Sequence, residues 1–162
     1  INQGCRPKVA KPSPQAAAQV LSLNIRRSAQ TLTDLIEARI YIECGIARYA
    51  AQRRTVVHVE ALGQTIADMQ CHKQDTKLCV DRDLEFHNIL LQAAGNDVFQ
   101  IMLQPVAELL RKSRDKTMAV NVERAISGHQ AILDAVRAGN PDQAESTMRN
   151  HLVMAHEDIR EQ

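Results

Sequence analysis

The chain has 162 residues, enough for one domain that buries its own core without disulfides. Its formal net charge is only +1, Trp is absent and there are just two Tyr and two Phe, which argues against a free-standing nucleic-acid binder built on a basic surface or stacking aromatics. No apolar run approaches the length of a membrane span and nothing resembles a signal peptide, so a cytoplasmic protein with no membrane partner is expected.

Residues 1–14, INQGCRPKVAKPSP, carry basic residues and three prolines without periodicity, the composition of a linker. Residues 14–30 allow a short entry helix, and from about residue 31 the pattern is helical with no period-2 strand. TLTD at 31–34 has capping-box spacing with Asp in the acidic place, starting a helix that runs to Gln52. Thr55 is placed to cap the next, where Val59, Leu62, Ile66 and Met69 recur at three or four residues. Asp75 or Thr76 opens a third helix, which closes at Ala94-Gly95-Asn96, glycine being tolerant of the left-handed conformation that ends helices. A fourth spans 97–112 with Pro105 as a kink, and RKSRDKTMA at 111–119 reads as a polar connector. A fifth spans 122–138, and Gly139-Asn140-Pro141-Asp142 supplies a stop, a cap and a first-turn proline for the last helix. Long amphipathic helices joined by short loops imply an all-α antiparallel bundle.

The polar residues that share the apolar stripes carry the functional argument. A helix turns about 100° per residue, so each side chain has a defined position relative to its stripe. On the third helix Cys79, Val80, Phe86, Leu90, Leu91 and Ala94 form the stripe, with Asp83 at its centre and His87 one turn on. His129 centres the stripe of the fifth helix, and His151 lies among Ala144, Thr147, Met148, Met154 and Ala155 on the sixth. These two histidines are 22 residues apart with Asn140 midway, so in an antiparallel hairpin they lie level and face each other. A single core histidine is best read as structural. Four such groups on three helices are accounted for together by one metal ion held by Asp83, His87, His129 and His151. Three imidazoles and a carboxylate suit Zn²⁺ first, with Ni²⁺, Fe²⁺ or Mn²⁺ open to an expanded shell. His58, His72 and His156 are read as surface or structural.

Arg39 shares the stripe assigned to the first long helix, Leu32, Leu35, Ile42, Ile46 and Ala50. Two readings stay open: a structural ion pair with Asp34, Glu37 or Glu43, or a fork reaching the metal cavity to hold a small organic anion. Cys5, Cys44, Cys71 and Cys79 form no CxxC pair and read as reduced thiols, Cys44 and Cys79 as buried ones.

DLIEARIYIECGIARYAA, DRDLEFHNILLQAAGN and GHQAILDAVRAGNPDQAESTMRNHLVMA, in that order over residues 31–158, resemble the C-terminal effector-binding (FCD) domain of the FadR-like branch of GntR bacterial transcription regulators. The resemblance implies a dimerising bundle of six to seven helices occupying 15–162, with 1–14 as linker and remnant of a winged-helix domain missing from this chain. It also implies one metal on Asp83, His87, His129 and His151, and an E-A-R signature on Glu37, Ala38 and Arg39 whose arginine lines the effector cavity. Asn96 matches a GN that follows the metal helix as a structural cap. Operator DNA would be reached only through the missing domain.

The expected function is therefore a small-carboxylate sensor and not an enzyme, with gluconate-like sugar acids, lactate, dicarboxylates and citrate all fitting a cation-plus-arginine cavity. A metal-assisted hydrolase is the rival of a different class. No catalytic residues are assigned, because HExxH, GxSxG and the ExxH pairs of di-iron bundles are absent. A third reading keeps the metal purely structural in a dimerisation module.

Overall fold

Four polar side chains begin the helices. In the computed structural model, which describes residues 29–160, Thr55, Asp75, Asn96 and Asn140 each accept a backbone N–H from the first turn of the helix that follows. The elements are α1 (Ala29–Arg53), α2 (Val56–Cys71), α3 (Thr76–Ala94), α4 (Asp97–Ala138) and α5 (Pro141–Arg160), with no strand among the described residues. At Thr55 the cap is reciprocal: its hydroxyl takes His58 N–H at 3.4 Å while the His58 ring accepts Thr55 N–H at 3.2 Å. A histidine thus stands where a capping box usually has Glu or Gln. Gly95 (φ 59°) and Gly139 (φ 68°) end α3 and α4 in the left-handed conformation. Any larger residue at Gly139 would also strike the Arg54 guanidinium, 2.5 Å from the place of a Cβ.

Every connection is short, and from α2 onward consecutive helices pack on each other. α1 packs chiefly on α5 and α3, α5 on α4, and α2 lies over α3 and α4. Phe86, Leu90, Leu91, Ile132, Leu133, Met148 and Leu152 form the fully buried centre, each stabilising the fold by about 1.5–3 kcal/mol through apolar burial. Two arginines tie the helix ends together. Arg53 donates to Ala94 O at the end of α3, and Arg54 bridges Ala51 O (2.9 Å) and Arg137 O (3.3 Å) at the ends of α1 and α4. Arginine is favourable there because helix C-termini present unpaired carbonyls. No helix of the described residues is long and apolar enough to cross a membrane.

Four expectations change. The TLTD box does not start α1, because the chain is already helical at Ala29 and residues 31–34 continue that helix. Thr-x-x-Asp spacing is compatible with a helix interior when the acid faces water, as Asp34 does. Residues 111–119 are not a connector but part of α4, since Arg, Lys, Met and Ala favour helix and the run has no glycine or proline to stop it. The non-helical residue inside α4 is Asn121 (φ −131°, ψ 40°) rather than Pro105. The buried face of α1 is also wider than the expected stripe: Arg39, Ile46 and Ala50 are buried as drawn, Ile36, Ile40, Glu43 and Ala47 join them, and Ile42 is only partly buried. The linker at 1–14 and the entry helix up to residue 28 fall outside the described residues.

Candidate metal centre and ligand cavity

α3 delivers Asp83 and His87 from adjacent turns, the second half of α4 delivers His129, and α5 delivers His151 across the Gly139-Asn140 turn. All four are buried, and one donor atom from each lies within 4.8 Å of the others. The imidazole centroids of His129 and His151 are 4.8 Å apart, and that of His87 lies 5.4 and 5.5 Å from them. The helical arithmetic therefore places the level pair correctly. Phe86 covers one face of His129 in a stack 4.0 Å between centroids, and His129 is 0% exposed. Gly128 makes room on the other arm of the hairpin, because a Cβ there would lie 2.5 Å from His151 Nδ1.

Asp83 divides its two oxygens. Oδ2 pairs with Arg114, a buried residue of α4. Oδ1 turns to the histidines, 3.2 Å from His129 Nε2 and 3.8 Å from His87 Nε2. Burial pushes the Asp83 carboxyl up, but Arg114, followed by His129 and His87, outweighs it and holds the group well below the usual carboxylate range. His151 is pressed well below its ordinary value by burial, reinforced by His129 and His87. His87 is lowered by burial too, against the opposing pull of Glu43. Neutral imidazoles and an ionised carboxylate are the protonation states a metal requires. His87 Nε2 and both nitrogens of His129 are buried without an aligned hydrogen bond. Unsatisfied buried groups are rare and each needs a cause. A nitrogen-rich donor set with orphaned lone pairs beside an ionised carboxylate fits a divalent cation.

Two charged residues join this centre that the periodicity did not assign to it. Glu43 of α1 is 2% exposed and pairs through Oε1 with Arg39 Nε and through Oε2 with His87 Nδ1, the latter a close ion-pair contact rather than an aligned hydrogen bond. Burial pushes its carboxyl up, yet Arg39 and then His87 outweigh that and keep it ionised, below the carboxylate range. Arg114 is lowered by burial and by Arg39, with Asp83 and Glu43 opposing. Glu43 was legible as a partner of Arg39 four residues away, and it would have entered the site had the α1 stripe been drawn through Ile36 and Ile40. Arg114 left no such signal, since it sits in a charge run whose ordinary reading is a solvated face.

A cavity of about 350 Å³ opens beside the cluster. Arg39, Asp83, Arg114 and His151 line it, with Ser127 and Asn150 as further polar groups. Arg39 forms the expected ion pair with Glu43 and also borders the cavity. His58 serves as part of the α2 cap, His72 ends α2, and His156 is partly buried away from the cluster. Cys44 and Cys79 are buried free thiols, and Cys71 is an exposed one.

The profile of the FCD domain family matches residues 34–154. Among curated proteins the chain is similar to the HTH-type transcriptional regulator LutR of Bacillus subtilis (strain 168), 30% identical over 142 residues that cover 83% of this chain and 65% of the relative. It is also similar to the HTH-type transcriptional repressor NanR of Enterobacter sp. (strain 638), 27% identical over 159 residues, 94% of this chain and 61% of the relative. Among solved structures, Streptococcus agalactiae GntR superposes with a TM-score of 0.69 at 28% identity, covering 88% of this chain and 65% of that one. The chain spans less than two thirds of the length of each of these proteins.

Proposed function

The chain belongs to the FCD domain family, and from that premise we propose that it is the metal-dependent sensor and dimerisation domain, residues 15–162, of a transcription regulator, taking a small organic acid as effector. Asp83, His87, His129 and His151 hold one divalent ion, Zn²⁺ first and Ni²⁺, Fe²⁺ or Mn²⁺ as alternatives, and Arg39 holds the acid. The observation that carries the reading is the convergence of four buried donors at the wall of a cavity that a guanidinium also lines. Operator DNA is the partner of the whole regulator, reached through an N-terminal winged-helix domain, and the regulator acts as a homodimer without being an enzyme.

Charge balance supports an anionic guest. Asp83 and Glu43 are offset by Arg114 and Arg39, each pair in contact. A divalent ion bound through imidazole lone pairs adds two positive charges beyond these two balanced pairs. An uncompensated charge in a core is strongly unfavourable, so a carboxylate at the open side of the ion stabilises the loaded state. When bound, the metal supplies a Lewis-acidic anchor for the acid's oxygens. Arg39 presents a planar fork suited to a carboxylate, and the cavity falls within the size range of small-molecule pockets. Because Arg39 and Glu43 both ride on α1, an acid gripped by Arg39 favours one placement of α1 over another. That is a population shift driven by differential affinity.

The test is the melting temperature of metal-loaded and metal-stripped protein with lactate, citrate, gluconate and dicarboxylates. A native-state binder at one hundred times its Kd stabilises by about 2.7 kcal/mol. The expected result is a rise for at least one acid only when metal is present, reduced in Arg39→Ala. No rise with any acid in the loaded protein would leave the metal as a structural staple and overturn the sensor reading.

A further inference from the structure

Resting on the metal reading above, we infer that Glu43 is a positioning residue which fixes His87 as the Nδ1–H tautomer, so that Nε2 is the atom offered to the ion, and which couples that ligand to the cavity arginine. The geometry behind it is a chain of contacts that runs from cavity to cluster through one carboxylate. Arg39 borders the cavity and pairs through Nε with Oε1 of Glu43, whose Oε2 lies against His87 Nδ1. The far nitrogen of the same ring, Nε2, faces Asp83 Oδ1 at 3.8 Å.

An imidazole has two nitrogens and can bind a metal through either, so the partner of the other nitrogen decides which one is free. The Glu43 oxygens face the donor Nε–H of Arg39 on one side and His87 Nδ1 on the other, so the carboxylate acts as acceptor and favours Nδ1–H, because two lone pairs facing each other repel. Glu43 is almost wholly enclosed and has Arg39 on its other oxygen, which leaves it no solvent-exposed alternative orientation. One acid therefore sets two orientations at once: the ring that ligates and the fork that grips. Movement of Arg39 on binding an acid is passed through Glu43 to His87, so cavity and metal are linked by a physical contact rather than by proximity alone.

The consequence is read by zinc affinity of the whole 162-residue chain in competition with a chromophoric chelator. Glu43→Gln keeps the shape but removes the charge that demands a protonated Nδ1. It should weaken zinc binding about 10- to 100-fold, the usual effect of losing a partner that orients a ligating histidine. With Co²⁺ in place of zinc, the visible spectrum of the variant should shift because the His87 ring is no longer held. A variant that melts lower without metal yet binds zinc as tightly as the parent would make Glu43 merely structural and overturn the inference. Should Glu43→Gln fail to fold, the zinc-loaded parent decides. Long-range ¹⁵N–¹H correlation of its histidines should show His87 protonated at Nδ1 and ligating through Nε2, and ligation through Nδ1 overturns it. If the parent takes up no zinc at all, the metal reading itself fails, an outcome distinct from a parent that binds and a variant that binds equally well.

Discussion

The two sides of the cavity handle charge in opposite ways. Toward α1 and the first half of α4, each buried guanidinium meets a carboxylate: Arg39 has Glu43 and Arg114 has Asp83. Toward α5 and the second half of α4, His129 and His151 face each other, and the oxygen nearest the cluster, Asp83 Oδ1, is shared between His87 and His129. The first side is complete within the chain. The second has more donors converging on it than acids to satisfy them, and the proposed ion site rests on that surplus. A buried ion pair is thus a poor guide to a binding site on its own, whereas neighbouring buried imidazoles with orphaned nitrogens are a good one.

The sharpest way to break this contrast is to empty the imidazole side. His129→Ala combined with His151→Ala should abolish stoichiometric metal by elemental analysis, and a full equivalent retained would sink the ligand assignment. On the other side, Asp83→Ala removes the buried carboxylate that Arg114 meets. Breaking such a pair destabilises by about 3–5 kcal/mol, so urea denaturation of the metal-free protein should show a loss of that size. A loss below about 1 kcal/mol would mean that Arg114 finds solvent or another acid. Gly128→Ala probes the seam between the sides, since the added methyl meets the His151 ring. Overpacking of this kind destabilises by about 1–3 kcal/mol, and on the proposed ligand set it should weaken metal uptake as well, because the displaced group is His151. The smallest effect is expected far from both sides. Thr55→Ala removes the α2 cap and should lower stability by about 1 kcal/mol while leaving metal stoichiometry unchanged.

Much of the architecture could be read before any coordinates. The caps at Thr55, Asp75 and Asn140, the glycine stops at 95 and 139 and the burial of Asp83, His87, His129 and His151 follow from local chemistry and a 3.6-residue period. The level placement of His129 and His151 followed from counting outward from the turn. Where the reading departs from the structure, the stripe of α1 was too narrow, leaving out Ile36, Ile40 and Glu43, or polarity stood for exposure, as at Arg114.

Helix ends and stripes are decided by a residue and its neighbours within a turn or two, so the sequence alone determined the caps, the helical class and the inward face of the four donors. Which inward groups meet across helices depends on how far each cylinder is rotated and where it crosses the next. Only the tertiary structure could decide that Glu43 reaches His87 and that Arg114, from a run of solvated appearance, closes on Asp83. A buried charge is tolerated because of its partner, and the partners here lie 44 and 31 residues away along the chain, beyond the reach of any local pattern.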